Sequence, residues 1–239
     1  MQRAFRCQGR LGDYPLPVDI FIPPGLSTSQ PLAIAYHLHG WWQAAADSPF
    51  VGVNGDYGSF LAATQLNLIL VIPESQGKNA TYASALGTPD QLNRFLTQIE
   101  ATLASAGIAN DANTPKLLSA HSGAYVELGL IGTWAAAGLI PRLQSLKGTA
   151  LLDSAYGYRS GLVSLMDVMC HGSKVTYMLT YNPNDGSTAK RDTNRRIAGE
   201  LRGSHPCAGA NVLELPDSGT LHVEFPRRHL SDFFNQTLR

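Results

Sequence analysis

Short, mainly apolar runs alternate along this chain with stretches whose apolar residues recur every three or four positions. The runs lie at 18–22, 32–38, 68–72, 117–118, 149–152, 175–180 and 211–215, most of them closed by proline, glycine or a polar turn. Runs this short and this continuous predict strands buried on both faces. The periodic stretches predict helices over 50–66, 89–107, 123–137, 162–169 and 192–202, and from Pro226 to the end. In the second of these, Leu92, Phe95, Leu96, Ile99 and Leu103 share one face behind Pro89, a good first-turn residue. Alternating strands and helices, with no internal repeat and no Pro/Ser/Gly linker, predict one α/β domain over residues 1–239. Its central sheet is expected to be mainly parallel, with helices on both faces. In such sheets ligands bind beyond the carboxyl ends of the strands, so candidate chemistry is sought there.

Composition narrows the partners. The 239 residues carry 18 basic and 18 acidic side chains, and only 15% are charged, against roughly 25% in an average soluble protein. A chain of zero net charge has no electrostatic footprint for nucleic acid or an anionic membrane surface. No apolar run approaches the roughly 18 residues of a membrane span. The three cysteines, Cys7, Cys170 and Cys207, form no Cys-x-x-Cys pair, which excludes a zinc ribbon or thioredoxin-like motif. A Cys170–Cys207 disulfide and two unpaired thiols fit equally. Residues 1–12 contain Arg3 and Arg6 but no apolar segment after them, so no signal peptide is read. The compartment stays open between the cytoplasm and, if a leader preceded residue 1, the exterior; the oligomeric state is equally unread.

The strongest chemical signal is the run from Leu117 and Leu118 through Ser119-Ala120-His121-Ser122-Gly123-Ala124-Tyr125. A strand meets a serine flanked by small residues, and a helix begins at once. This resembles the nucleophile elbow of the α/β-hydrolase fold, Gly-x-Ser-x-Gly, with Ala120 and Ala124 in place of both glycines. The elbow projects the hydroxyl above the sheet at a helix N-terminus, where free N–H groups favour developing negative charge. The plainer reading is a strand-to-helix turn with a capping serine. His39-Gly40-Trp41-Trp42, after the 32–38 strand, resembles the His-Gly oxyanion loop of esterases and lipases. The oxyanion donors would then be the N–H of Gly123 and that of Trp41 or Trp42, with Trp41 preferred; a polar turn bearing two packing tryptophans is the alternative.

In the same fold the base follows the last strand, and His222 stands there. His121 adjoins the serine with the wrong orientation, His229 belongs to the final helix, and His171 and His205 occupy intervening segments. Two carboxylates compete as the acid. Asp185 follows the 175–180 strand inside Asn182-Pro183-Asn184-Asp185-Gly186, strong turn chemistry that explains it without a catalytic role. Asp153 tips the buried strand 149–152 and needs a specific partner.

The chain as a whole resembles a group of bacterial hydrolases. They carry His-Ser-Gly-[Gly/Ala]-Tyr at the elbow, Leu-Asp-x-x-Tyr-Gly after the next strand and His-x-x-x-Pro-Arg-Arg before the last helix. Here these are residues 121–125, 152–157 and 222–228. The resemblance implies Asp153 as the acid. It also implies an esterase that acts on a small-molecule carboxylic ester through Ser122, His222 and Asp153, by way of an acyl-enzyme. An amidase or peptidase would use the same three groups, and a non-catalytic binding module could keep the fold. His37 and His39 alternate on one strand face as metal ligands can, but no third ligand at suitable spacing follows. No Gly-rich dinucleotide or phosphate loop is present, so no cofactor is expected. The 74–87 segment is expected to rim the cleft, where Glu74-Ser75-Gln76 could contact substrate but solvated loop is the preferred reading, and no lid insertion separates the elbow helix from Asp153. With so few charges, neutral or weakly polar esters are the expected substrates.

Overall fold

Strands with no polar face are stable only inside a sheet covered on both sides, and the computed structural model builds that sheet. It describes residues 5–12, 14–27, 30–40, 57, 61, 64–75, 82–170, 175–203, 207 and 209–239. Eight strands are present among them: β1 (Phe5–Arg10), β2 (Pro17–Ile22), β3 (Ala33–Leu38), β4 (Leu68–Pro73), β5 (Lys116–His121), β6 (Leu146–Leu152), β7 (Val175–Tyr181) and β8 (Ala210–Pro216). They form one sheet in the order β1-β2-β4-β3-β5-β6-β7-β8. β1 and β2 run antiparallel to their neighbours, and every pair from β4 onward is parallel.

Every residue of β3, β4, β5 and β7 is buried, and alternate side chains feed two cores. Ile34, Tyr36, Leu118, Leu151, Tyr177 and Leu179 pack with helices α2 (Pro89–Ser105), α3 (Tyr125–Ala136), α4 (Ser160–Met169) and α5 (Thr188–Gly203), which follow the short α1 (Ala83–Leu86). Ala33, Ala35, Leu117, Leu152 and Met178 face the other way, onto Phe225, Leu230, Phe233 and Phe234 of α6 (Phe225–Leu238). The expected two-sided α/β architecture is therefore present. Among the described residues no helix is long and apolar enough to cross a membrane.

Three features depart from the expectation. β1 has no apolar run; an edge strand pairs through its backbone on one side alone and needs none. Pro73 does not stop the chain after a strand ending at Ile72 but is itself the last residue of β4, opposite Val18 of the antiparallel β2. Helices α3 and α4 cross through glycine: a β-carbon on Gly132 would lie 1.9 Å from the Gly161 carbonyl oxygen. The expected helix over 50–66 falls mostly outside the described residues, although Tyr57 and Leu61 are helical and buried in the second core.

Candidate active site

The carboxyl ends of β3, β5 and β6 and the segment after β8 converge on Ser122. β5 ends at His121, and Ser122 turns the chain with φ +54° into a 3-10 turn, Ser122–Ala124, that leads into α3. A side-chain-bearing residue in this left-handed region costs on the order of 1–3 kcal/mol, so the surroundings must hold it. They do. Ala120 and Ala124 are fully buried on either side, and the Ser154 hydroxyl donates to the Ser122 carbonyl at 2.5 Å. Gly40, after β3, comes so close that a β-carbon there would lie 2.5 Å from the Ser122 Cβ.

The Ser122 Oγ lies 2.9 Å from His222 Nε2. The other ring nitrogen, Nδ1, is hydrogen-bonded to Oδ2 of Asp153. Asp153 sits at the tip of β6 with φ +43°, its N–H donating to the Thr180 carbonyl at 2.9 Å. Its second oxygen, Oδ1, accepts from the Asn182 N–H at 3.1 Å and from Lys190 Nζ at 2.7 Å. Burial pushes the Asp153 carboxyl up, but the hydrogen bonds from His222, Lys190 and Asn182 outweigh it and hold the group below the ordinary carboxylate range. An imidazole whose Nδ1–H donates to an ionised carboxylate keeps Nε2 free to accept a hydroxyl proton. The arrangement can therefore draw the proton from Ser122.

Of the two candidate acids, Asp153 lies against His222, and Asp185 does not. Asp185 Oδ1 accepts the Ser187 N–H at 2.9 Å, the turn role its sequence announces, and its Oδ2 pairs with Lys190. His121, the neighbour of Ser122, is not idle. Its ring stacks at 4.6 Å on that of His222, and its Nε2–H donates to the His222 carbonyl at 2.8 Å. Burial, together with the charge on His222, keeps His121 well below the ordinary histidine range, so it stays a neutral donor. The Tyr156 hydroxyl stands 3.5 Å from both ring nitrogens of His222. Tyr156 is the tyrosine of the Leu-Asp-x-x-Tyr-Gly run, whereas Lys190 carries no signal in the sequence.

Trp41 and Trp42 lie outside the described residues, as do His171 and His205. Gly123 directly follows Ser122 at the start of the helical turn. The His39 end of the loop is anchored: Nδ1–H donates to the Gly40 carbonyl at 3.0 Å, Nε2 accepts the Ser75 N–H at 3.2 Å, and the Tyr82 hydroxyl donates to the His39 carbonyl at 3.2 Å. Glu74 and Ser75 are accordingly buried rather than solvated, which corrects the reading of that segment; Gln76 lies outside the described residues. His37 hydrogen-bonds Ser119 at 2.9 Å within the sheet. Among the described residues no group of three or more His, Cys, Asp or Glu side chains could hold a metal ion.

No protein-family model matches this chain, and neither does any curated protein. Solved structures do. The feruloyl esterase module from Clostridium thermocellum, a mutant complexed with sinapinate, shares 13% identity over 99% of this chain and 90% of its own, with a TM-score of 0.66. A ferulic acid esterase from Anaeromyces mucronatus, in complex with ferulic acid, shares 11% over 100% and 90%, with a TM-score of 0.60. An S-formylglutathione hydrolase from Agrobacterium tumefaciens shares 11% over 96% and 91%, also with a TM-score of 0.60. At these identities the likeness shows the fold: the chain has the α/β-hydrolase architecture.

Proposed function

We propose that this protein is a serine hydrolase that cleaves small carboxylic esters through an acyl-enzyme. Ser122 attacks the ester carbonyl from a nucleophile elbow while His222 takes its proton, then returns it to the leaving alcohol. In the second half, His222 activates water against the acyl-serine. Asp153 holds the imidazole in the required tautomer and stabilises the imidazolium. The N–H groups of Gly123 and Trp41 are the oxyanion donors of this reading. The observation that carries it is the continuous contact from Ser122 Oγ through both nitrogens of His222 to a buried carboxylate, beneath a serine held at positive φ. The solved structures of the same fold are named as esterases and as a hydrolase, which supports the same reaction class.

The test is hydrolysis of p-nitrophenyl esters of graded chain length, with fluorophosphonate labelling of Ser122. Ser122→Ala is expected to abolish labelling and to lower kcat at least about 1,000-fold, and Asp153→Asn to lower it by about 10,000-fold. Asp185→Asn should retain readily measured turnover. A dead Asp185→Asn beside an active Asp153→Asn reverses the acid assignment. Turnover of p-nitroanilides but not esters makes the protein an amidase.

A further inference from the structure

Lys190 is among the largest side chains that are fully buried among the described residues, at 1% exposure. It lies in the first turn of α5, a helix otherwise polar on its outer face. A buried ammonium needs paired and hydrogen-bonded partners, and the partners here are instructive. Nζ donates to Oδ1 of Asp153 at 2.7 Å and pairs with Oδ2 of Asp185. It also stands 5.0 Å over the Tyr156 ring. Asn194, one turn along α5, ties the helix to the same place: its side-chain amide donates to the Ser154 carbonyl at 3.2 Å and to the Lys190 carbonyl at 2.8 Å. The two aspartates that competed in the sequence are thus bound to one lysine, and one of them is the partner of His222.

A carboxylate is a two-fold rotor, and only one of its oxygens can face His222. With Oδ1 of Asp153 occupied by Lys190 and by the Asn182 N–H, Oδ2 is left for the imidazole. Asp185 holds Lys190 from the other side while its own Oδ1 is committed to the Ser187 N–H. We propose that Lys190 is a positioning residue of the reaction site, anchored by Asp185, that fixes the orientation of Asp153 toward His222 and sets the charge against which the imidazolium forms. This rests on the functional reading above and deepens it. Burial alone would discharge Lys190, but the hydrogen bonds it donates to the two carboxylates more than restore the ammonium. The titratable groups around the pair are Asp153 and Tyr156 after β6, Asp185 ahead of α5, and His222 with His121 stacked on it.

The sign of the effect follows from charge. Removing a cation beside Asp153 leaves that carboxylate freer to stabilise the imidazolium, so His222 stays protonated to higher pH. Lys190→Met is expected to lower kcat for p-nitrophenyl acetate by about 10-fold to 100-fold, the usual range for a group that orients a reacting one. KM should change less than about twofold, and the acid limb of the kcat profile should move up by about one unit. The Nδ1–H proton resonance of His222 should titrate upward with it. A Lys190→Met/Asp185→Asn double variant removes both partners of the ion pair, so Asp185 is not left as an uncompensated charge if the single variant fails to fold. It should show the same loss of kcat, with a smaller upward shift. Either variant folded, with wild-type kcat and an unmoved acid limb, overturns the proposal and leaves Lys190 a structural ion pair that moves only Tm. If the wild type cleaves no ester, the functional reading fails, while the His222 resonance in the same proteins still decides the role of Lys190.

Discussion

Gly40 and Ser122 meet backbone to side chain across two neighbouring strands, with room for no atom between them: a β-carbon on Gly40 would stand 2.5 Å from the Ser122 Cβ and 3.1 Å from the His121 carbonyl oxygen. Neither neighbour can swing aside, because one is the root of the Ser122 side chain and the other is main chain. Gly40→Ala must therefore displace either the loop or Ser122 itself. Overpacking of this kind costs about 1–3 kcal/mol, and moving a reacting atom by about 1 Å costs on the order of 100-fold in rate. The expected outcome is a folded variant whose kcat/KM on p-nitrophenyl acetate and whose fluorophosphonate labelling both fall about 100-fold. Activity within twofold of wild type would show that the loop yields freely.

Asp217 organises the segment that carries His222. Its Oδ1 accepts the Gly219 N–H at 2.9 Å, and its Oδ2 accepts the Thr220 hydroxyl at 2.7 Å, Arg228 Nε at 2.9 Å and His229 Nε2 at 3.1 Å. Asp217→Ala leaves the buried Thr220 hydroxyl and His229 ring without their acceptor, and about 2 kcal/mol of stability should go with it. Turnover should fall about tenfold with KM little changed, since His222 sits two residues beyond Thr220. Arg228 is 61% exposed, so Arg228→Ala should cost no more than about 1 kcal/mol. Equal losses from the two variants, measured by urea unfolding, would refute this ranking. The arrangement also gives a physical reason for the last arginine of the His-x-x-x-Pro-Arg-Arg run.

What could be read beforehand follows a physical division. The strands were legible because a segment buried on both faces is mostly apolar along its length, and Ser122 was legible because its flanking small residues are a local steric requirement. Choosing between Asp153 and Asp185 was not a local matter. Both follow a run of β-strand, and residue spacing cannot say that the Asp185 carboxylate bends back onto Ser187 and Lys190. Lys190 itself stands beside Arg191 in a polar stretch, where a solvated lysine is the ordinary outcome; only the landing of the first turn of α5 beside Asp153 buries it. The Gly132–Gly161 contact joins residues on two helices, and no periodicity within either one reveals it. β1 went unread because edge strands are specified by backbone pairing rather than by apolar side chains.

Cys170 and Cys207 form a disulfide, their Cα atoms 5.4 Å apart, which closes a loop of 37 residues between the end of α4 and the approach to β8. Loop-closure entropy of that length is worth about 4 kcal/mol against the unfolded chain. Cys207→Ser is expected to lower the free energy of unfolding by about that amount under non-reducing conditions, and dithiothreitol should have the same effect on the wild type. Both cysteines pack against the first core, and the hydrogen bonds that join Ser122, His222 and Asp153 involve neither, so kcat at 25 °C should be retained. A variant as stable as the oxidised wild type would contradict this.

His37 makes the fold sensitive to mild acid. Its Nδ1 pairs with the Ser119 hydroxyl at 2.9 Å, and among the described residues its Nε2 has no partner. Burial, and next electrostatic repulsion from the nearby His39 ring, push its pKa from 6.5 down to about 3. Between those two values the unfolded chain binds a proton that the folded chain refuses. Stability therefore falls as pH drops from 6.5, by about 1.4 kcal/mol per unit, and by about pH 5 His37 alone removes about 2 kcal/mol. His121, also held low by burial, acts in the same direction, so the wild type should lose more than this between the two pH values. His37→Gln retains a hydrogen-bonding group toward Ser119 and cannot be protonated. Urea unfolding at pH 6.5 and about pH 5 should show the variant losing about 2 kcal/mol less than the wild type. Equal losses would mean that His37 does not titrate on unfolding, and that the acid sensitivity has another source.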